Sequence, residues 1–472
     1  MKLHHAFAGL GLFAGICLSP VPILALTLED AVRSVLETNP EIEAAEANKQ
    51  AVEFELDQAQ SFRMPKFELE AWAGSSFDDG TRSTDASAAS DPIEGYRVTG
   101  RVSQVLYDGF RIRSEIERQA YRVDAAALRV LERSEFLSLE AIRLYADVLR
   151  SQSMLNLARE NLGYHRDVYA RLDNAFGSGA IPVGDVQQAS ERVLFAEDTM
   201  INFELNAQSI ENEFLQIVSI EPKSLGTVPS ISSQVHGSVE QALAIARRQN
   251  PTIRFSQADV GSAEARWRVA EANRGPTVHL EAEVTAGEDV GGFEGRVSDA
   301  EVGVVLRYEL QGDRKRAQRQ EQIRRISESR ATLLHQTRLV EREVRDTWAD
   351  WKAAQRRVVT LSRQADLSKE LRATYEEEYT VGSRSLLDIL NTQNSLFQAQ
   401  VNLVNARSLE IYIRYRLLAA TGTLLNTMGI QAPEDATNYA SQFQNAPDVG
   451  AGAQPRRFDA RSFTDWRRSV DK

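Results

Sequence analysis

Two kinds of hydrophobic periodicity alternate along the chain, and each occurs twice. In four short segments apolar and polar residues alternate at every second position, which predicts β-strands with one apolar and one polar face. These segments span about 66–73, 97–106, 277–284 and 301–310. In two much longer stretches, 111–175 and 313–381, proline is absent and apolar residues recur at helical spacing. That pattern predicts two very long helices, one after each pair of strands.

The second long stretch keeps a 3.5-residue apolar period from Ile323 to Ala365. Such a period predicts a left-handed supercoil of packed helices. At 1.5 Å per residue, about 65 residues extend roughly 100 Å. A glycine turn and a further helix follow each stretch, with turns at 177–179 and at Gly382 and helices over about 185–220 and 386–421. Each unit therefore ends in a long antiparallel helical hairpin.

The two sets of elements are copies of one sequence unit. A shift of 211 residues aligns the segment from Thr27 with the segment from Ser238 without a gap, and Asn39-Pro40 then falls on Asn250-Pro251. The shift decreases to 204 and then 203 further along. We expect each copy to begin with a helix that its proline interrupts, because proline lacks the backbone N–H. Two copies of about 200 residues indicate duplication of a large unit.

These patterns divide the chain into four parts. Residues 1–25 hold an apolar stretch that ends at Ala25, typical of a secretory signal peptide; a lipoprotein signal at Cys17 and an uncleaved anchor are the alternatives. The first structural repeat spans 26–237, with a strand hairpin at about 66–107 and a helical hairpin at about 109–220. The second spans 238–425, with a strand hairpin at about 276–311 and a helical hairpin at about 312–421. We expect residues 426–472 to form an extended or disordered tail.

Composition excludes several classes of function. The 472 residues carry a formal net charge of −12, so nucleic acid is an unsuitable partner. One cysteine excludes a disulfide framework and a cysteine-based zinc site. The six histidines are scattered without the spacing of metal ligands, and no phosphate loop or nucleophile elbow is present. We therefore expect neither an enzyme nor a bound cofactor or metal.

The four strands leave two interpretations open. They could form a half-buried sheet in a soluble domain, or part of a membrane barrel with an apolar outside and a polar lumen. Four strands are too few to close a barrel, so the second interpretation requires several chains to share it.

Several motifs resemble the TolC family of outer-membrane exit ducts over about residues 27 to 425. They are 28–32 (LEDAV) with Asn39-Pro40, 106–110 (LYDGF), 379–390 (YTVGSRSLLDIL), 405–407 (NAR) and 417–422 (LLAATG). The resemblance implies a mainly α fold with a membrane β-barrel, made of long antiparallel coiled-coil helices and four strands per chain. It also implies a homotrimer, in which three chains form one α-barrel/β-barrel tunnel from the outer-membrane lipid across the periplasm of a Gram-negative bacterium.

The resemblance further implies inner-membrane partners, namely a periplasmic adaptor with either an ABC transporter or a proton-driven pump. Residues 141–145 (AIRLY) and 344–348 (VRDTW) are most similar to ducts of type I secretion, which export large adhesins and repeat toxins. Multidrug or small-molecule efflux is the alternative cargo class. A non-channel periplasmic scaffold or adaptor built on coiled coils is the alternative of another class.

The resemblance also assigns candidate residues of a periplasmic entrance gate. In this family the hairpin turns form the periplasmic entrance. At rest this entrance is closed by bridges between pairs of helices. Matched by motif, Tyr379 would hydrogen-bond Asp185, and Arg384 would reach the backbone near Gly184.

Three further positions follow from the same motifs. Arg407 would pair with an acid near Asp167 or with a backbone carbonyl. Asp388 would contribute to a ring of three carboxylates that attracts cations, whereas Asn391 stands where a second acidic ring is common. The alternatives are that Asp388 and Asp185 merely cap their helices and that Arg384 is a surface charge.

Overall fold

A computed structural model describes residues 25–76, 92–229, 231, 237–292, 295–310 and 312–444. The chain is mostly helical, with one four-stranded antiparallel sheet. Across the described ranges, no helix combines the length and apolarity needed to cross a bilayer. The expected signal peptide at 1–25 lies almost wholly outside the described residues.

Each repeat opens with two helices that meet at an Asn-Pro pair. In the first repeat α1 spans Leu28–Thr38 and α2 spans Pro40–Ser61. The side chain of Asn39 accepts the N–H of Glu41 at 3.0 Å and so caps α2, where Pro40 takes the first helical position. The predicted interruption at proline is confirmed, and it reorients the chain without a loop.

The strands pair in chain order. They are β1 (Lys66–Ser76), β2 (Ile93–Tyr107), β3 (Thr277–Glu288) and β4 (Arg296–Arg307). Their register gathers Phe67, Val102 and Ala282 with their neighbours on an apolar face, and Glu70, Arg101 and Glu283 on the opposite, charged face. In the second hairpin the strands extend beyond the alternating segments predicted at 277–284 and 301–310, because pairing continues to Glu288 and Arg296. Residues 77–91, between β1 and β2, lie outside the described part of the chain.

The helical hairpins account for most of the length of the molecule. The first consists of α3 (Arg111–Gly177) and α4 (Val183–Val218). The second repeat begins with α5 (Val239–Gln249) and α6 (Pro251–Ala272). Its hairpin consists of α7 (Gly312–Thr380) and α8 (Leu386–Thr421). At 1.5 Å per residue, α3 and α7 each extend roughly 100 Å.

The long helices α3 and α7 run through two layers of neighbours. Near the sheet the order is α2, α3, α6 and α7, and near the turns it is α4, α3, α8 and α7. Near the turns, α4 and α8 therefore occupy the places in the array that the short helices α2 and α6 occupy near the sheet. An apolar cluster that includes Leu28, Tyr145, Phe214 and Leu418 joins the two layers at mid-height.

The end of the described chain differs from the expected extended tail. After the short helix α9 (Leu424–Thr427), two 3₁₀ turns at Glu434–Ala436 and Ala440–Gln444 pack against α2 and α3. Asp435 accepts a bond from Lys49 at 2.7 Å, and the Asp124 carboxylate accepts the N–H groups of Ala440 and Ser441 at 2.8 and 3.0 Å. The composition predicts a tail from residue 426 onwards. In the structure, however, residues 426–444 are held by side chains from distant parts of the chain. Residues 445–472 lie outside the described part of the chain.

Candidate entrance gate

The turns at the ends of the two helical hairpins have the same geometry. Gly179 and Gly382 both adopt left-handed backbone angles, with φ of 77° and 78°. In each turn two backbone bonds close the preceding helix, from Gly179 and Ala180 in the first and from Gly382 and Ser383 in the second. This helix ending favours glycine, because a side chain is strained at that φ. The duplication predicted from the sequence therefore extends to the backbone of the tips.

The helices that leave these turns begin differently. At α8 the hydroxyl of Ser385 accepts the N–H of Asp388, and the Asp388 carboxylate accepts the N–H of Ser385 in return. These bonds with Ser385 lower the pKa of Asp388 below its usual value. Asp388 is thus a helix-capping residue in this structure, as one of the two interpretations of the sequence held.

The equivalent position in the first hairpin makes no such reciprocal cap. The α4 helix follows Pro182, and the side chain of Asp185 forms no hydrogen bond or ion pair among the described residues. A carboxylate in the first turn of a helix still faces the positive end of the helix dipole. Asp185 is therefore placed to accept a bond from another helix or another chain.

An apolar cluster joins the ends of the two hairpins. Its buried members are Val168 and Leu172 of α3, Ala189 of α4, and Leu386 and Leu390 of α8. Tyr379, at the end of α7, packs against this cluster half-buried, together with Val186 of the first hairpin. The structure thus brings Tyr379 to the first hairpin. A hydrogen bond from Tyr379 to Asp185 is not among those of the described residues, and that contact stays a prediction.

Polar contacts one to five turns above the tips also cross between the hairpins. The Tyr164 hydroxyl of α3 donates to Glu376 of α7 at 2.8 Å, while Gln393 of α8 donates to Asn161 of α3 at 2.9 Å. Arg372 donates to Gln393 at 3.2 Å and lies over the Tyr164 ring, 5.4 Å from its centroid. Burial and the Glu376 carboxylate together raise the pKa of Tyr164. We call Asn161, Tyr164, Arg372, Glu376 and Gln393 the cross-hairpin network.

The sequence analysis did not identify this network, although a signal was present. Asn161 lies between Ala158 and His165, and Gln393 lies between Leu390 and Leu396, both within apolar stripes at three- and four-residue spacing. A polar residue in such a stripe requires a partner once it is buried. Both residues are buried, with exposed fractions of 7% and 4%, and each satisfies the other.

The remaining predicted gate residues lie at or above the second turn. Arg384 pairs with Glu378 at 2.5 Å and lies over the ring of Tyr375, 4.2 Å from its centroid. Its expected contact with the backbone near Gly184 is not found among the described residues. The Asn391 backbone carbonyl accepts the Ser395 hydroxyl at 2.9 Å. Arg407 is exposed, without an ion pair in the described chain, so its partner stays a prediction.

The contacts at this site can hold the ends of the two hairpins together. Charged and amide bonds of this kind hold two hairpins together and can be exchanged for bonds to water when the hairpins separate. In the part of the chain that the structure describes, no group of three or more His, Cys, Asp or Glu residues could hold a metal ion.

Comparison with known proteins matches both repeats to one family. Residues 31–218 and 242–423 match the family described as "Outer membrane efflux protein". The "Outer membrane efflux protein BepC" of Brucella suis is 27% identical over 366 residues, which are 75% of this chain and 79% of that protein. "Nodulation protein T" of Rhizobium leguminosarum is 25% identical over 57% of this chain and 59% of its own length.

Solved structures share the fold at lower identity. A membrane protein from Pseudomonas aeruginosa superposes with a TM-score of 0.75 at 19% identity, over 84% of this chain and 90% of its own. The outer membrane protein VceC from Vibrio cholerae gives 0.73 at 18% identity, over 84% and 96%. The arrangement of long helical hairpins on a four-stranded sheet is therefore that of solved outer-membrane proteins.

Proposed function

The chain belongs to the outer membrane efflux protein family, and from this premise we propose that it is the exit duct of a tripartite type I secretion machine. Members of this family are outer-membrane channels rather than enzymes, and this chain is an outer-membrane protein. The observation that supports a channel is the joined pair of hairpin ends, since a channel needs an entrance that can close and open. The similarity of residues 141–145 and 344–348 to ducts of type I secretion is what favours this class of cargo.

The duct is a homotrimer. Within the described chain, β1 and β4 each pair on one side only, and an open sheet edge invites another strand. Three copies joined edge to edge supply twelve strands, enough to close a barrel with the apolar face towards lipid. Their helices would then form one tunnel, with the six hairpin turns at its periplasmic end.

The entrance is closed by contacts between hairpins. The cross-hairpin network supplies restraints within one chain, while Asp185, Gly184, Tyr379, Arg384 and Arg407 supply contacts that tighten in the trimer. Three Asp388 carboxylates around the axis attract cations, and Asn391 leaves the next turn without a second acidic ring. Opening requires these bonds to be exchanged when the adaptor engages.

Conductance in a planar lipid bilayer tests the gate. We expect Tyr379→Phe with Arg384→Ser to raise the single-channel conductance, because these changes would remove the proposed bonds of Tyr379 to Asp185 and of Arg384 to the backbone near Gly184. Arg338→Gln on α7 is a control, since that exposed arginine forms no ion pair in the described chain and lies far from the turns. Conductance equal to wild type in the double variant would contradict the assignment of these two residues.

Deletion of the gene tests the cargo and the partners. Loss of one large secreted or surface protein, with drug sensitivity unchanged, is expected if the duct serves a type I ABC transporter and its adaptor. The second candidate is small-molecule efflux with a proton-driven pump, which the name of the Brucella suis relative favours. That candidate predicts broad hypersensitivity to drugs and detergents with a normal set of secreted proteins. A phenotype in neither assay, together with a salt-extractable protein, would favour a periplasmic scaffold instead.

A further inference from the structure

The apolar face of the sheet ends in a row of aromatic rings on the side nearest the helices. A β-bulge between Val105 and Tyr107 shifts the register, so that Tyr107 pairs with Val278 and joins the apolar face. Phe67 lies at the start of β1 on the same face, 76% exposed. Tyr308 continues the alternation two residues after Leu306, and Phe110 contacts the Tyr107 ring edge-on at 6.3 Å. All four rings are exposed.

The same level of the molecule is basic, although the chain as a whole is acidic. The connections between helices and strands, taken together with the ends of the strands and helices that flank them, are residues 62–66, 106–113, 271–277 and 307–319 without residue 311. Together they hold ten Lys and Arg residues and four Asp and Glu residues, in a chain whose net charge is −12. We call these four connections with their aromatic rings the junction collar. Its charge therefore opposes that of the rest of the surface.

Some cations of the junction collar form ion pairs within the described residues. Arg111 pairs with Asp108 at 3.8 Å, Lys66 pairs with Glu68, and Arg319 pairs with Glu271 at 2.8 Å. Three other cations of the collar have no acidic partner there.

By contrast, the exposed side chains of Arg63, Arg113 and Arg314 form no hydrogen bond or ion pair there. Arg113 lies in the first turn of α3, three residues after the exposed ring of Phe110. Free guanidinium groups thus lie within a few residues of exposed aromatic rings, at the edge of an apolar face.

We propose that the junction collar binds anionic phospholipid headgroups in the periplasmic leaflet of the outer membrane. Arginine binds phosphate in a bidentate manner, and aromatic rings favour the level of the headgroups at a membrane surface. An anionic lipid satisfies both the free arginines and the apolar face above them, which a soluble anion would not do. The proposal rests on the proposed function, because it takes the apolar face to lie in the bilayer.

Native mass spectrometry of trimers from mixed phosphatidylglycerol and phosphatidylcholine vesicles tests the collar. The wild type is expected to retain phosphatidylglycerol preferentially, and less so as salt rises. We expect Arg63→Gln, Arg113→Gln and Arg314→Gln together to reduce that preference at least about fivefold. A fivefold change corresponds to roughly 1 kcal/mol, which is the contribution of one basic residue near an anionic surface. The corresponding lysine variant should keep most of it.

A matched control carries Arg159→Gln, Arg338→Gln and Arg342→Gln, three exposed arginines of α3 and α7 without an ion pair in the described chain. The control should bind lipid like the wild type. Equal lipid preference in the glutamine variant and the wild type would overturn the collar, and so would an equal loss in the control or no preference in the wild type. A wild type that inserts into no bilayer would instead overturn the proposed function.

Discussion

The helices α3 and α7 are equivalent elements of the two repeats and nearly equal in length, yet they are buried to very different extents. Thirty of the 67 residues of α3 are buried, whereas only six of the 69 residues of α7 are. The difference follows from position, because α3 has neighbours on both sides in both layers and α7 lies at the edge of the array.

One duplicated unit thus forms both the interior and the boundary of the protomer. Exposed apolar residues of α7, among them Val359, Leu367 and Leu371, have no core to enter within a single chain. Their burial would come from another copy, in line with the proposed trimer.

A substitution in the core of α3 should cost more than one on the surface of α7. Leu144 is fully buried and Leu367 is 65% exposed. We expect Leu144→Ala to lower the free energy of unfolding by about 2–5 kcal/mol through lost contacts and a cavity. Leu367→Ala should leave unfolding nearly unchanged and lower the temperature at which trimers dissociate. Thermal unfolding and heated gel migration separate the two effects, and equal losses of unfolding free energy would remove the distinction.

A buried carboxylate on α3 should make stability depend on pH. Glu135 accepts the N–H groups of Leu424 and Leu425 at 3.2 and 3.4 Å, and burial raises its pKa to about 7. Above pH 4.5 the unfolded chain loses this proton while the folded chain keeps it until about pH 7, so stability falls as pH rises through this window.

Glu135→Gln should remove that slope, because an amide does not titrate in this range, although its single oxygen can replace only one of the two acceptor atoms that Leu424 and Leu425 use. The expected span is about 3 kcal/mol, at roughly 1.4 kcal/mol per pKa unit. Glu370→Gln on α7 is the control, since that carboxylate is exposed and unpaired among the described residues. Unfolding temperatures across pH 4.5 to 7 measure both variants. An unchanged slope in Glu135→Gln would show that this carboxylate is not the titrating group.

The buried amide pair that ties α3 to α8 should respond non-additively. Gln393→Leu leaves Asn161 buried without its partner, which costs about 1–3 kcal/mol. Adding Asn161→Leu should recover much of the loss, because two apolar groups need no hydrogen bond. A double-mutant cycle by thermal unfolding measures the coupling. Additive losses would mean that the pair does not act as a unit.

The smallest effect is expected at the helix caps of the two turns. Ser385→Ala removes a cap and should cost about 1 kcal/mol, seen as faster hydrogen exchange in the first turn of α8. Asp185→Ala in α4 should change exchange less within the protomer, since that side chain makes no bond there. Equal increases would show that the two caps are equivalent, contrary to the structure.

Much of this molecule could be predicted from local pattern. The four strands, the Asn-Pro junctions and the glycine turns at Gly179 and Gly382 depend on residues a few positions apart. The capping role of Asp388 was one of two interpretations open to the sequence. Propensity, side-chain alternation and left-handed backbone angles are local properties, so one chain without relatives suffices to detect them.

Tertiary packing decided the rest. Tyr164 and Glu376 are 212 positions apart, and no local pattern could pair them. Similarly, α3 and α7 descend from one repeat, and only the order of neighbours makes one buried and the other exposed. Residues 426–444 resemble a tail in composition, yet Asp124 and Lys49 hold them. Burial and pairing depend on groups brought together from distant parts of the chain, and local periodicity carries no information about which groups those are.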